Sequence, residues 1–83
     1  MKYDLRIEVR LKPGHSDPEG ETTADLLKEL GFNVEKCMVS KVYNLVVQAK
    51  TRKSVLEQAE EMCRKLLANP TKDDYRISVE VKK

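Results

Sequence analysis

Aromatic side chains are scarce in this chain: there is no tryptophan, one phenylalanine and three tyrosines in 83 residues. A small α/β module that reads RNA stacks bases on exposed aromatics of its central strands. Here Tyr3 and Tyr75 fall in apolar alternation sets, and the opposite positions carry charge. Histidine occurs once, at position 15, and cysteine twice, at 37 and 63. Those three residues have no metal-ligand spacing. A general base needs a partner that orients it; His15 has only Asp17 nearby and reads as a solvated loop residue. Cys63 falls among helical core positions and reads as a small buried hydrophobe, as does Cys37. No glycine-rich stretch follows a strand and opens a helix in the manner of a phosphate loop; Pro13-Gly14 and Glu19-Gly20 do not have that form. No apolar run approaches the ~20 residues of a membrane span. Lys2, Asp4, Arg6 and Glu8 interrupt the amino-terminal segment, so a signal peptide is not expected. The expected compartment is the cytoplasm, where two cysteines stay reduced. Charge of one sign is lacking too. Sixteen basic and fourteen acidic residues are interleaved, for a net +2. Nucleic-acid binders concentrate their basic residues on one face.

Regular alternation is what the chain has. Tyr3, Leu5, Ile7, Val9 and Leu11 point one way, and Lys2, Asp4, Arg6, Glu8, Arg10 and Lys12 the other. A period of two over that length predicts a strand with one buried and one wet face. The wet face alternates in sign, which favours side-by-side ion pairs. Tyr75, Ile77, Val79 and Val81 alternate in the same way with Arg76, Ser78, Glu80 and Lys82. Pro13 to Gly20 has no period and reads as a loop. A helix follows, with Thr22 or Thr23 as cap, Asp25 in the first turn, and a stripe of Ala24, Leu27 and Leu30 beside Leu26. Gly31 stops it, and Phe32 is expected to pack back on the stripe.

A second helix is predicted from Ser54, whose spacing to Glu57 has the form of a capping box. Its apolar positions are Val55, Leu56, Ala59, Met62, Cys63, Leu66 and Leu67, and Asn69-Pro70 ends it. Glu60 with Arg64 and Glu61 with Lys65 are pairs one turn apart. Asp73-Asp74 reads as a solvated turn opening the last strand. Between the helices, Val34 to Ala49 is strand-like. It forms either a hairpin turning near Ser40-Lys41 or one bent strand; no Asn-Gly or Asp-Gly marks a turn. Met38 and Val46 fall on its outer side.

The expected architecture is α+β: β-α-β-β-α-β, or the same with the middle pair fused, in a ferredoxin-like split βαβ arrangement with two helices on one face of an antiparallel sheet. It is read as one domain, 1–83. A core this small is marginal and is often completed by oligomerisation.

The non-periodic residues carry a resemblance. Asp17-Pro18-Glu19-Gly20 follows a strand ending Leu11-Lys12. Leu30-Gly31-Phe32 ends the first helix. Met62-Cys63-Arg64-Lys65-Leu66-Leu67-Ala68-Asn69-Pro70 closes the second, followed by Asp74-Tyr75. In that order and spacing, from about Tyr3 to Val81, the chain resembles the PurS family, small subunits of phosphoribosylformylglycinamidine synthase. The resemblance implies an accessory subunit without a catalytic site, acting in the fourth step of de novo purine synthesis. It implies a homodimer or homotetramer that bridges a PurL-type synthetase subunit and a PurQ-type glutaminase subunit and supports ammonia transfer. ATP and Mg are expected on the large subunit, and no cofactor, metal, nucleic acid or membrane on this chain. The residues expected at partner interfaces are Asp17, Pro18, Glu19, Gly20, Met38, Lys41, Val46, Asn69 and Pro70. The family commonly reads Val-Arg-Val-Gly-Lys where this chain has Met38-Val39-Ser40-Lys41 at the last four places. Met38 replaces the arginine and Ser40 the glycine, while Lys41 is kept. A contact made by that arginine must therefore differ here. The alternative from a different class is a small-molecule sensor of ACT-type topology, its ligand held by the Pro13–Gly20 loop.

Overall fold

In the computed structural model, residues 1–83, the first strand is the centre of the sheet. β1 (Lys2–Leu11) buries Tyr3, Leu5, Ile7 and Val9, as its alternation predicts. β2 (Lys41–Gln48) and β3 (Asp73–Val81) pair on either side of it, both antiparallel to it. Leu5 lies opposite Leu45 on one side and Val79 on the other; Ile7 lies opposite Tyr43 and Ile77. β2 and β3 therefore run parallel to each other with β1 between them, joined by α2 (Arg52–Met62). That is a split βαβ unit in an antiparallel α+β sheet.

Helix α2 exists because its apolar residues recur on one face, and Val55, Ala59 and Cys63 have no solvent exposure at all. It packs on β1 and β3. Its cap is Thr51, in extended conformation, whose side chain accepts a bond from the Ser54 amide at 3.1 Å. The expected box from Ser54 to Glu57 does not form. Ser54 already lies in the first turn, and its hydroxyl accepts from Gln58 instead. A single π-type turn, Cys63–Leu67, follows α2 without a break. It closes at Asn69, whose side chain accepts from the Thr71 amide while Asp73 accepts from the Asn69 amide. Asp73 is thus a turn-closing residue rather than a merely solvated one. Of the two expected ion pairs on this helix, Glu61–Lys65 forms at 3.4 Å. Glu60 does not pair with Arg64; its carboxylate accepts the Tyr75 hydroxyl at 2.6 Å, tying α2 to β3.

Helix α1 (Pro18–Glu29) begins earlier than the threonines suggest. Asp17 is its cap, accepting from the Gly20 amide at 2.9 Å. Pro18 occupies the first helical position, where a missing N–H costs nothing, and Glu19 and Glu21 complement the dipole. Thr23 instead donates its hydroxyl to the Glu19 carbonyl. Gly31 ends the helix in the left-handed region, φ +97°. The predicted stripe, however, does not become core. Ala24 is buried, but Leu26 is exposed, and Leu30 and Phe32 are 73% and 59% exposed. The reason is placement: α1 packs on none of the strands to any extent comparable with α2. Only α2 covers the sheet.

The fourth strand is the other departure. Residues 34–40 form no strand, and β2 starts at Lys41. No hairpin turns at Ser40-Lys41. The segment runs on from β2 and is held by α1, through the Val39 amide on Asp17 at 2.8 Å. The outer edges of β2 and β3 are both unpaired.

Candidate functional site

Topology gathers most of the candidate residues at one end of the molecule. β1 ends at Leu11 where β2 begins, with Lys41 near its partner Val9, and where β3 begins, with Asp73 opposite Leu11. Residues 12–20, 37–41 and 69–72 therefore all lie at this end. Asp17, Pro18, Glu19, Gly20, Met38, Lys41, Asn69 and Pro70 share it. Val46 does not; it lies opposite Asp4, towards the other end and on the wet face. A groove of about 770 Å³ opens at the shared end, with Arg10, Lys12, His15, Lys28 and Asp74 among its lining. Strand alternation marks Arg10 and Lys12 only as wet, and Lys28 lies on the polar side of α1; only the strand order shows that they flank the same loops.

Asp17 organises this end. One carboxylate oxygen accepts from Gly20 and the other from Val39, so helix start and returning segment share one side chain. These two backbone amides, Val39 first, hold the Asp17 carboxyl below its ordinary range. Gly20 is the matching requirement. A Cβ there would collide with the Cys37 carbonyl oxygen and lie 2.8 Å from the Asp17 carboxylate. Asp17 and Gly20 are thus intrachain fasteners. Pro18, Glu19, Met38 and Lys41 remain exposed beside them.

The fastener is pH-sensitive in a defined direction. A carboxylate whose folded pKa is depressed contributes above its unfolded pKa, near 4, and loses that contribution as pH falls through the folded value. Acidification below the ordinary carboxylate range is therefore expected to release the Val39 amide before the sheet unfolds. Asp17→Asn, which keeps only one acceptor, is expected to release it at neutral pH. Amide exchange at Val39 in both proteins is the measurement; equal protection in wild type and variant would contradict it.

The sheet's wet face is the second surface. Lys12–Asp74 and Lys82–Asp4 pair at 3.6 Å across strands, and Arg6–Glu8 at 3.7 Å along β1, as the alternating signs predict. These pairs are largely solvent-exposed, Glu8 only partly so, and are of small energetic worth. On β2 this face carries no charge: it is made of Val42, Asn44, Val46 and Gln48, with Val46 57% exposed. The third surface is apolar: Leu26, Leu30 and Phe32, with Met38 47% exposed nearby in sequence, and separately Leu66 on the π-type turn. Leu66, Leu26 and Leu30 hold apolar helical positions with nothing beneath them; a helical stripe does not say whether anything packs on it.

Reactive groups do not converge. No three histidine, cysteine, aspartate or glutamate side chains come together as a metal-binding group. Cys63 lies in the core, where burial pushes its thiol up; Cys37 is half-buried. The Tyr75 hydroxyl is also pushed up, mainly by its bond to Glu60. No helix is long and apolar enough to cross a membrane.

Open sheet edges, an apolar helix lying off the sheet and a polar groove at the loop end define a protein whose working parts are surfaces for other chains. The chain belongs to the PurS family: the family model described as phosphoribosylformylglycinamidine (FGAM) synthase matches residues 4–81. It is 40% identical over 79 residues to the phosphoribosylformylglycinamidine synthase subunit PurS of Methanocaldococcus jannaschii, covering 94% of this chain and 95% of that one. It is 42% identical over 72 residues to the corresponding subunit of Archaeoglobus fulgidus, covering 86% and 90%. The crystal structure of the M. jannaschii PurS superposes with a TM-score of 0.87 at 39% identity, covering 98% of this chain and 99% of that one. A chain in the structure of PurLQS from Thermotoga maritima superposes at 0.88 with 28% identity, covering 96% and 99%.

Proposed function

We propose that this chain is the non-catalytic small subunit of phosphoribosylformylglycinamidine synthase. In this role it joins, as a homo-oligomer in the cytoplasm, a PurL-type synthetase and a PurQ-type glutaminase. The observation that carries the reading is the family match over nearly the whole chain, joined to the likeness with a chain of the Thermotoga PurLQS. The exposed candidates Pro18, Glu19, Met38, Lys41, Val46, Asn69 and Pro70 are the surface assigned to those partners. ATP and Mg act on the large subunit. The requirement met by this chain is physical: ammonia released from glutamine must reach the activated amide before bulk water protonates or dilutes it, and a subunit that holds two sites together and excludes water serves that.

The test is assembly. Light scattering on the three purified chains is expected to show a complex containing all of them, and no complex of synthetase with glutaminase when this chain is left out. A synthetase–glutaminase complex that forms equally well without it would overturn the reading.

A further inference from the structure

We propose that the π-type turn Cys63–Leu67 serves to hold Leu66 outside the fold, as the apolar anchor of a contact with another protein. The surface receiving it is an apolar pocket rimmed by carboxylates on one of the two enzyme subunits. The inference deepens the proposed function and rests on it.

Helical phase alone would put Leu66 in the core. Val55, Ala59 and Cys63 recur every four residues and have no exposed surface. In a regular α-helix Leu66, eleven residues after Val55 and seven after Ala59, continues that stripe. The structure places it elsewhere: Leu66 is 82% exposed, more than any other large apolar side chain here. The cause is one extra residue in the last turn. The Ala68 amide donates to the Cys63 carbonyl at 3.0 Å, five residues back, where an α-helix closes on four. Each later residue is set back by about one helical position. Leu67 thereby takes the inward place that Leu66 would have held, half-buried against the core cluster, and Leu66 takes the outward place of Lys65.

Core packing does not choose between the two registers, because each gives the core a leucine at that place. They differ outside, where the regular helix would show a lysine and the π-type turn shows a leucine. Turns of this kind are rare and gather at functional sites. The surroundings say what kind of partner fits. Arg64 and Lys65 stand directly before Leu66, Lys72 lies in the turn that closes on Asn69, and all three are exposed. Lys65 pairs with Glu61, while Arg64 and Lys72 form no ion pair within the chain. An apolar side chain among unpaired cations fits an apolar pocket with acids at its rim. A second copy meeting this patch across a two-fold axis would set the same cations against one another. The receiver is therefore a different chain. Asn69 and Pro70, exposed three and four residues on, widen the same contact.

The full chain and its variants are titrated by calorimetry against the purified synthetase and the purified glutaminase. Leu66→Ser is expected to keep the wild-type circular dichroism, urea midpoint and oligomeric state, since the side chain is exposed. It is expected to bind one of the two subunits roughly tenfold to hundredfold more weakly, the effect of losing one buried leucine. Leu66→Met, still apolar, is expected to retain most of the affinity. Arg64→Glu with Lys72→Glu is expected to weaken binding of the same subunit and to flatten its salt dependence. Deleting Leu66 outright, which restores the regular helix with Leu67 inside, is expected to give a folded chain with the same loss of binding; where the deletion does not fold, Leu66→Ser decides. Leu66→Ser that binds both subunits at wild-type strength would overturn the anchor and leave the proposed function standing. So would Leu66→Ser that reduces the oligomer to monomer, because a second copy then covers the leucine. Wild type that binds neither subunit would overturn the proposed function, and the anchor with it.

Discussion

Ile7→Ala is expected to cost about 2–5 kcal/mol, the range for removing a large aliphatic side chain from a closed core. Ile7 has no exposed surface and sits at the centre of β1, with Tyr43 opposite on one side and Ile77 on the other. The space it leaves is walled by strands on both flanks, so little can collapse into it. A domain of this length has roughly 4–12 kcal/mol of stability in total. The substitution is therefore expected to remove a large share of that stability and to lower the urea midpoint sharply. Urea unfolding followed by circular dichroism checks this. A loss below about 0.5 kcal/mol, the scale of a surface change, would mean that the core does not lie between these strands.

Gly20→Val is the second, and its effect is of a different kind. The new side chain collides with the Cys37 carbonyl and crowds the Asp17 carboxylate. The near neighbour is backbone, so relief requires the returning segment to move. About 1–3 kcal/mol is expected for such overpacking. The loss falls on the lobe rather than the core, because neither α1 nor segment 34–40 packs on the main cluster of buried residues. The sheet is expected to stay folded, with an intact near-native unfolding transition, while Val39 loses amide protection. A variant that keeps Val39 protection would show that the Gly20–Cys37 approach is not needed.

Those two residues mark how far the sequence could be read. The strand Lys2–Leu11 was legible because a period of two has no helical interpretation, and the buried face of α2 because its apolar residues recur at helical spacing up to Cys63. Gly31 was legible as a stop because a left-handed residue follows that helix. The start of α1 was not: three cap-competent residues, Asp17, Thr22 and Thr23, stand within seven positions, and the winner was decided by Pro18 and by the distant Val39 amide. Nor was the fate of Leu30 and Phe32 legible, since a stripe on a helix does not record whether the fold places anything against it. Residues 34–40 carry strand-like side chains, yet a strand also needs an edge to pair with, and this segment is held against Asp17 beyond the end of the sheet.

The candidate site divides in the same manner. Asp17-Pro18-Glu19-Gly20 stood out as a motif, but its chemistry is internal: a cap, a first-turn proline and a glycine that admits a carbonyl. Only Pro18 and Glu19 remain free to meet a partner. Met38 and Val46 are exposed, as their outward phase predicted, although they lie at different places on the molecule. Tyr75 with Glu60 was invisible beforehand because its partner lies fifteen residues away on another element.

The most direct measurement is of nitrogen source. Synthetase and glutaminase subunits are assayed for ATP-dependent amidine formation with this chain present or omitted, supplied with either glutamine or ammonium. If the chain works by holding the two sites together, omission abolishes most of the glutamine-dependent rate and leaves the ammonium-dependent rate far less affected, and the chain alone turns over nothing. Glutamine-dependent activity that is undiminished without the chain would contradict its role as the bridging subunit.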